Sequence, residues 1–370
     1  MNSEIIQLLR SSAVAILLTL SACGGSDSDS TDASDADAGN TDIGDTDTVD
    51  SDNEDTNQVT EGDTADDTTD STDTVNDTAI FADVLSTYGI YQGDPAELTP
   101  SADYHLYELS SVLFTDYAEK QRLIKMPTGS VMVKTDDGLP EMPDGTIIAK
   151  TFYYHNEVTA SAETRDLIET RLLIKSNDSW MASSYVWNED LTEAYLSENG
   201  ETQSINFVDS DGVSQTVDYE VPSQEDCVVC HQNTDVSTPI GPSMANMNFT
   251  VTRNNVAVNQ LDYLHTIGIL DDANASSGAS VPNYYDETES LADRARAYLD
   301  INCAHCHRPE GFAGDEGIDF RFTASLADTT LVNNRPITRL LESGEMPQIG
   351  ATLIDTYGVN LVLDYIESIR

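Results

Sequence analysis

Four of the chain's five cysteines fall into two copies of one pattern, Cys227-Val228-Val229-Cys230-His231 and Cys303-Ala304-His305-Cys306-His307. The spacing has a chemical reason. Cysteines three positions apart on one helical turn present both sulfurs to one edge of a porphyrin, where they can form thioethers with its vinyl groups. The next residue can then swing an imidazole under the iron. The pattern therefore implies two haem c groups, attached at Cys227 and Cys230 and at Cys303 and Cys306, with His231 and His307 as proximal iron ligands. A single copy in a cytosolic chain would suit zinc or thiol redox chemistry as well. Two copies in an exported chain point to haem.

Each proximal imidazole must be neutral at the nitrogen that meets iron, and its other nitrogen should donate to a carbonyl. Pro309 follows the second motif closely, and its backbone is expected to help place such an acceptor. His305 lies between two of the cysteines and is expected to face solvent or a partner. For the sixth position of the first haem the candidates are Met244, Met247, His265, His105 and His155. Met247 comes first because it follows the motif by only a short loop.

Export is read from the start of the chain. A short polar lead with Arg10 precedes an apolar run from Ala13 to Leu20, too short to span a bilayer, and then small residues at a cleavage site. Leu20-Ser21-Ala22-Cys23 resembles the lipobox of bacterial lipoproteins, which implies a signal peptide over 1–22 and a lipidated Cys23. By analogy with lipoprotein sorting, Gly24 in the next position leans toward the outer membrane. The inventory then closes, with one cysteine for lipid, four for haem and none for a disulfide.

Residues 24–78 are a different material. Nineteen of these 55 residues are acidic, none is Lys or Arg, and apolar side chains are scarce. Such a segment cannot bury enough surface to offset its conformational entropy, so residues 23–78 read as a lipidated cysteine on a disordered acidic tether. The whole chain carries a formal net charge of −49. That argues against nucleic acid and anionic membrane surfaces as partners. It suits a cationic redox partner, or simply a salty habitat. Contact with a membrane is expected only through the N-terminal lipid.

The elements that must position the motifs emerge from patterning. Over 79–221 short runs rich in β-branched and aromatic residues predict strands: 145–154, a hairpin of 170–175 and 180–187 around Ser176-Asn177-Asp178-Ser179, and 205–208 with 217–221. They suggest an antiparallel sandwich or barrel-like domain. Over 222–287, Ser223 with acidic residues after it predicts an N-cap and a short helix through His231. A helix over about 259–270 and a linker over 271–282 come next. Over 288–370, Leu291, Ala295, Tyr298 and Leu299 make a helical stripe leading into Cys303, and Val359, Val362, Leu363, Ile366 and Ile369 make another. Glu169 and Arg171, two apart on a predicted strand, read as a structural ion pair.

The order helix, haem motif, Gly344-Glu345-Met346-Pro347, final helix resembles the class I cytochrome c fold. The resemblance implies a mainly α domain over 288–370 with Met346 as the distal ligand opposite His307. More widely, residues 85–370 are similar to a sparsely characterised family of exported bacterial dihaem c-type cytochromes, several of them lipoproteins. That likeness rests on Leu113-Phe114-Thr115-Asp116-Tyr117-Ala118, Lys150-Thr151-Phe152-Tyr153-Tyr154, Glu169-Thr170-Arg171-Leu172-Leu173, Tyr185-Val186-Trp187-Asn188, Pro239-Ile240-Gly241-Pro242 and Arg294-Ala295-Arg296-Ala297-Tyr298-Leu299-Asp300. It implies haem binding and electron transfer in a bacterial cell envelope.

The expected protein is a multi-domain, membrane-tethered dihaem cytochrome, an electron carrier rather than an enzyme. Two other readings stay open: a dihaem peroxidase whose first haem reacts, and a haem-bearing docking subunit for a partner dehydrogenase.

Overall fold

The computed structural model describes residues 81–370, apart from 158–160, 162–163, 210–211, 235 and 334. The signal peptide, Cys23 and the acidic tether lie outside the described residues.

Six antiparallel strands run in chain order across one sheet: β1 (His105–Leu106), β2 (Glu119–Lys125), β3 (Ile147–His155), β4 (Arg165–Ser176), β5 (Ser179–Trp187) and β6 (Ala194–Ser197). The β4–β5 turn is tighter than the four polar residues predict. Asn177 and Asp178 alone form it, both with positive φ (52° and 59°), which matches the twist of the flanking strands. The Asp144 carboxylate accepts from both of their amides, at 2.9 and 3.0 Å. The sheet is open rather than a closed barrel, because its strand order is linear from β1 to β6. The predicted pair at 205–221 forms a separate hairpin, β7 (Glu201–Val208) and β8 (Ser214–Val221).

Alternation along the strands gives the sheet two different faces. One face is apolar: Leu123, Ala149, Leu172 and Tyr185 pack against Leu85, Ile90 and Tyr104 from the preceding segment. The other face is divided into three zones. At one end Ile124, Ile148, Leu173 and Trp180 form a core with later helical residues. At the other end Phe152 and Ile168 pack beneath the hairpin residues Ile205, Phe207, Val217 and Tyr219. Between these ends the strands place Arg122 opposite Lys150, and Lys150 opposite Arg171.

The rest of the chain alternates helices and short strand pairs with long irregular segments. It comprises α1 (Gln224–His231), the two-residue strands β9 (Gln232–Asn233) and β10 (Val236–Ser237), α2 (Met244–Met247), the hairpin β11 (Thr250–Arg253) and β12 (Val256–Asn259), and α3 (Gln260–Thr266). Then come α4 (Leu291–Asn302), α5 (Arg335–Ser343) and α6 (Thr356–Ser368). The predicted helix at 259–270 stops early, as Gly268 takes a positive φ of 78°. The predicted linker is packed instead: Ala275 is buried, and the Asn248 amide donates to the carbonyls of Ser276, Gly278 and Ala279. The helix α5 has no counterpart among the predicted elements.

The stripes on α4 and α6 meet as expected. Ala295, Tyr298 and Leu299 share a core with Val359, Val362 and Ile366, and Ile337 and Leu341 of α5 join it. Glycine is required at 358 because a Cβ there would fall inside the Tyr298 ring. Segment 111–118 ties this core to the sheet. The Phe114 amide donates to Asn302 at 2.7 Å, and the Tyr284 hydroxyl donates to the Val112 carbonyl at 3.0 Å. The described residues accordingly belong to one compact unit. Among them no helix is long and apolar enough to cross a membrane.

Candidate functional site

The first motif is positioned from its N-terminus. Ser223 caps α1, accepting from the Asp226 amide at 3.1 Å, while the Asp226 carboxylate accepts in return from the Ser223 amide at 3.0 Å. This reciprocal box is the predicted helix start with its partner named. The Gln224 side chain then donates to Ser183 of β5 at 3.1 Å, which fixes α1 beside the sheet. Cys227, Cys230 and His231 come after it on one helical turn.

His231 has the orientation an iron ligand needs. Its Nδ1 lies 2.7 Å from the Thr238 carbonyl. A carbonyl can only accept, so Nδ1 carries the proton and Nε2 keeps its lone pair. Burial, opposed by that carbonyl and reinforced by Lys150 and Arg171, lowers the imidazole to about 4. The ring is therefore neutral at ordinary pH.

The second motif is built differently. It begins at the end of α4 and folds into a tight loop, in which the His307 amide donates to the Cys303 carbonyl at 2.9 Å. Two glycines make that loop possible. A Cβ on Gly311 would collide with the Cys306 carbonyl, and one on Gly314 would sit 2.5 Å from the Pro309 carbonyl. The His307 ring packs edge-on against Phe320, with centroids 5.5 Å apart. The expected acceptor near Pro309 does not form. A turn closed by the Gly311 amide on the Arg308 carbonyl leaves Pro309 exposed, and the shielded His307 Nδ1 has no hydrogen-bond partner. His305 is half-buried, with its Nδ1 shielded and unpartnered.

All four cysteines are free. Burial pushes Cys227 up to about 11 and Cys230 and Cys303 up to about 12, and raises Cys306 as well. All four are therefore neutral thiols at ordinary pH. Among the described residues no three His, Cys, Asp or Glu side chains converge to hold a metal ion directly. Thioether attachment needs no such cluster, because one imidazole per haem reaches iron from that side.

The two motifs, 76 residues apart in sequence, are neighbours in space. The Thr234 amide donates to the Glu310 carbonyl at 2.7 Å, and Arg308 reaches the Gln232 carbonyl at 3.5 Å. Sequence reading had no means of placing the motifs together, since each is specified by local spacing alone.

The candidate sixth ligands divide. Met346 lies half-buried in the loop between α5 and α6. The sheet side grips a later part of that loop: the Asp116 carboxylate accepts from the Thr352 amide at 2.8 Å, the Leu353 amide at 2.8 Å and the Thr352 hydroxyl at 3.1 Å. Asp116 is 2 % exposed, and its own carbonyl accepts from Tyr154 at 2.7 Å.

Met247, expected first for the other iron, is instead a core residue. It is 2 % exposed among Tyr107, Met132, Met142 and Leu264, a cluster to which α1 contributes nothing. The reason is local. Ser243 caps α2, and Asn246 bonds both ways with Ser111, so the helix turns its methionines toward the sheet. Met244 shares that core. His265 Nδ1 lies 3.0 Å from the Leu270 carbonyl. His155 lies between Thr164, at 3.0 Å, and Glu119, at 3.7 Å. His105 is half-buried on β1.

Glu169 and Arg171 form the expected ion pair at 2.5 Å, with Tyr219 donating to the same carboxylate at 2.6 Å. With the geometry in view, comparison with known proteins adds no relative: no protein-family model, no curated protein and no solved structure matches this chain.

Proposed function

We propose that the protein is a dihaem c-type cytochrome that passes electrons between two haems held side by side. The observation that carries this reading is the packing of two Cys-x-x-Cys-His motifs against each other across 76 residues of chain. Haem supplies a one-electron centre when bound. The chain's own contribution is to keep the His231 lone pair on Nε2 and to bring both attachment loops into contact. On this reading Cys227, Cys230, Cys303 and Cys306 hold haem, His231 and His307 ligate from the proximal side, and Met346 ligates the second iron. The α4–α6 crossing with the Met346 loop between motif and last helix supports likeness to class I cytochromes c, and so to the exported dihaem family. The acidic charge suits a cationic redox partner, and the N-terminal pattern suits a lipid anchor in the outer membrane of a bacterium.

A second reading draws on the first motif. Met244 and Met247 are buried in the sheet core and His155 is held between Thr164 and Glu119, which favours a first haem open to an external ligand, as a peroxidase requires. Mass measurement and ligand-binding spectra of the exported protein test both. The expected result is two covalent haems, one of which binds carbon monoxide without turning over peroxide. Rapid peroxide turnover would favour the enzyme, and fewer than two covalent haems would overturn the proposal.

A further inference from the structure

The start of β2 has no strand beside it on its outer side. β1 pairs with β2 only at Leu123 and Ile124, so residues 119–121 lie along an edge that the sheet leaves open. Segment 95–98 covers part of that edge, where the Gln121 side chain donates to the Leu98 carbonyl at 2.8 Å. The segment leaving β1 runs past it and is held by Gln260 of α3, which bonds both ways with the Glu108 backbone. Residues of all three segments line a cavity of about 250 Å³. Exposed Glu97 marks its mouth. No residue of either Cys-x-x-Cys-His motif lines it.

Its lining carries more basic than acidic side chains: Lys120, Arg122 and Arg165 against Glu97 and Glu108. The chain as a whole has 66 acidic residues and only 17 Lys and Arg, so this local excess runs against its composition. Neither acid offsets it. Glu108 is bound at 2.8 Å to Arg253, which is not part of the lining, and Glu97 is exposed to water. Lys120 donates to the carbonyls of Leu113 and Ala118 at 3.0 and 2.9 Å, and Arg165 donates to that of Ala96. Neutral carbonyls orient these cations without cancelling their charge. Arg122 makes no side-chain hydrogen bond or ion pair among the described residues, although it is only 7 % exposed. A guanidinium withdrawn from water without an acidic partner is costly. Burial accordingly pushes both Arg122 and Lys120 below their usual ranges.

A bound anion would supply the missing charge. The cavity is larger than a lone inorganic ion needs and falls just short of the roughly 300 Å³ at which ordinary small-molecule pockets begin. Part of its wall is apolar, from Leu98, Leu106 and the Tyr153 ring, over which the Arg165 guanidinium lies at 4.9 Å. A guanidinium fork matches a carboxylate through two parallel hydrogen bonds. We propose that this cavity binds a small organic carboxylate, with Arg122 as its anchor and with Leu106 and Tyr153 against its carbon skeleton. The site is separate from the haem motifs and stands independently of the dihaem function proposed for the chain.

The test uses the full exported protein, with succinate as the carboxylate probe and phosphate as the inorganic one. Titration calorimetry and thermal melts are the readouts. Succinate is expected to bind the parent saturably at one site per chain and to raise its melting midpoint, while phosphate at the same concentration does neither. Arg122→Met weakens succinate binding at least about tenfold, because a charge-assisted pair of hydrogen bonds is lost. Without succinate, the same variant melts no lower than the parent, since an unpaired buried cation has been removed. Arg122→Lys keeps the charge without the fork and recovers only part of the affinity. Arg165→Met carries the same test should Arg122→Met fail to accumulate. A parent protein that does not bind succinate would overturn the proposal. Equal binding by the parent and both Met variants would also overturn it, by placing the carboxylate elsewhere. Phosphate binding as tightly as succinate would reduce the cavity to a general anion site and remove the assigned ligand class.

Discussion

The two motif regions share five residues of pattern and almost nothing else. At the first, the imidazole is oriented by a carbonyl, while of the residues considered for the opposite side both methionines and His155 are engaged elsewhere. At the second, His307 Nδ1 has no partner, but a methionine loop is present and is gripped by Asp116. The first region is fixed by secondary structure, through a capped helix pinned to a strand. The second is fixed by close backbone approaches that only glycine permits, and by a carboxylate reaching across from the sheet. An identical five-residue pattern therefore does not imply equivalent surroundings.

The sharpest break of this comparison removes one attachment point. Cys303→Ala with Cys306→Ala is expected to halve the covalent haem content by mass and leave the first site's spectrum intact. Loss of both haems would show that the sites are not separable. A large effect is also expected in the fold of the second region. Gly358→Ala forces a methyl group into the Tyr298 ring, and overpacking of this kind costs about 3 kcal/mol. A thermal melt should register that loss, and an unchanged midpoint would contradict the crossing described.

Next is the Asp116 grip. Asn keeps the shape and tolerates the positive φ of 48°, but loses the charge that three donors share. Asp116→Asn should lower stability by about 2 kcal/mol and perturb the spectrum of the second haem alone. A change confined to the first haem would reverse the assignment of Met346 to the second. The smallest effect belongs to the first region: Ser223→Ala removes one half of the capping box and should cost about 1 kcal/mol in denaturant unfolding. The second haem's spectrum should not respond.

Legibility tracked the range of the interaction. The haem pattern, the Ser223 cap, the β4–β5 hairpin and the Glu169–Arg171 pair were all readable, since each depends on residues within a few positions of one another. Met247 misled because a short loop after a motif says nothing about which way the next helix faces. Ser243 and Asn246 turn it into the core, and Asn246 does so through Ser111, 135 residues away. Pro309 misled for a similar reason: the Gly311 amide closes a turn on the Arg308 carbonyl that leaves the proline exposed, and no carbonyl meets His307 Nδ1. Asp116 was noticed only as part of a family-like string, and its partners lie 236 residues further on.

By itself, the sequence determined the spacing of two thiols and an imidazole in each motif, because that is set within one turn of backbone. It also determined the acidic character and much of the order of strands and helices, which arise from composition and periodicity. Tertiary structure alone decided that the two motifs touch, that Tyr298 needs a glycine opposite it, and that three cations line up across the sheet. Those outcomes depend on strand register and helix crossing, which bring together residues that no local pattern connects.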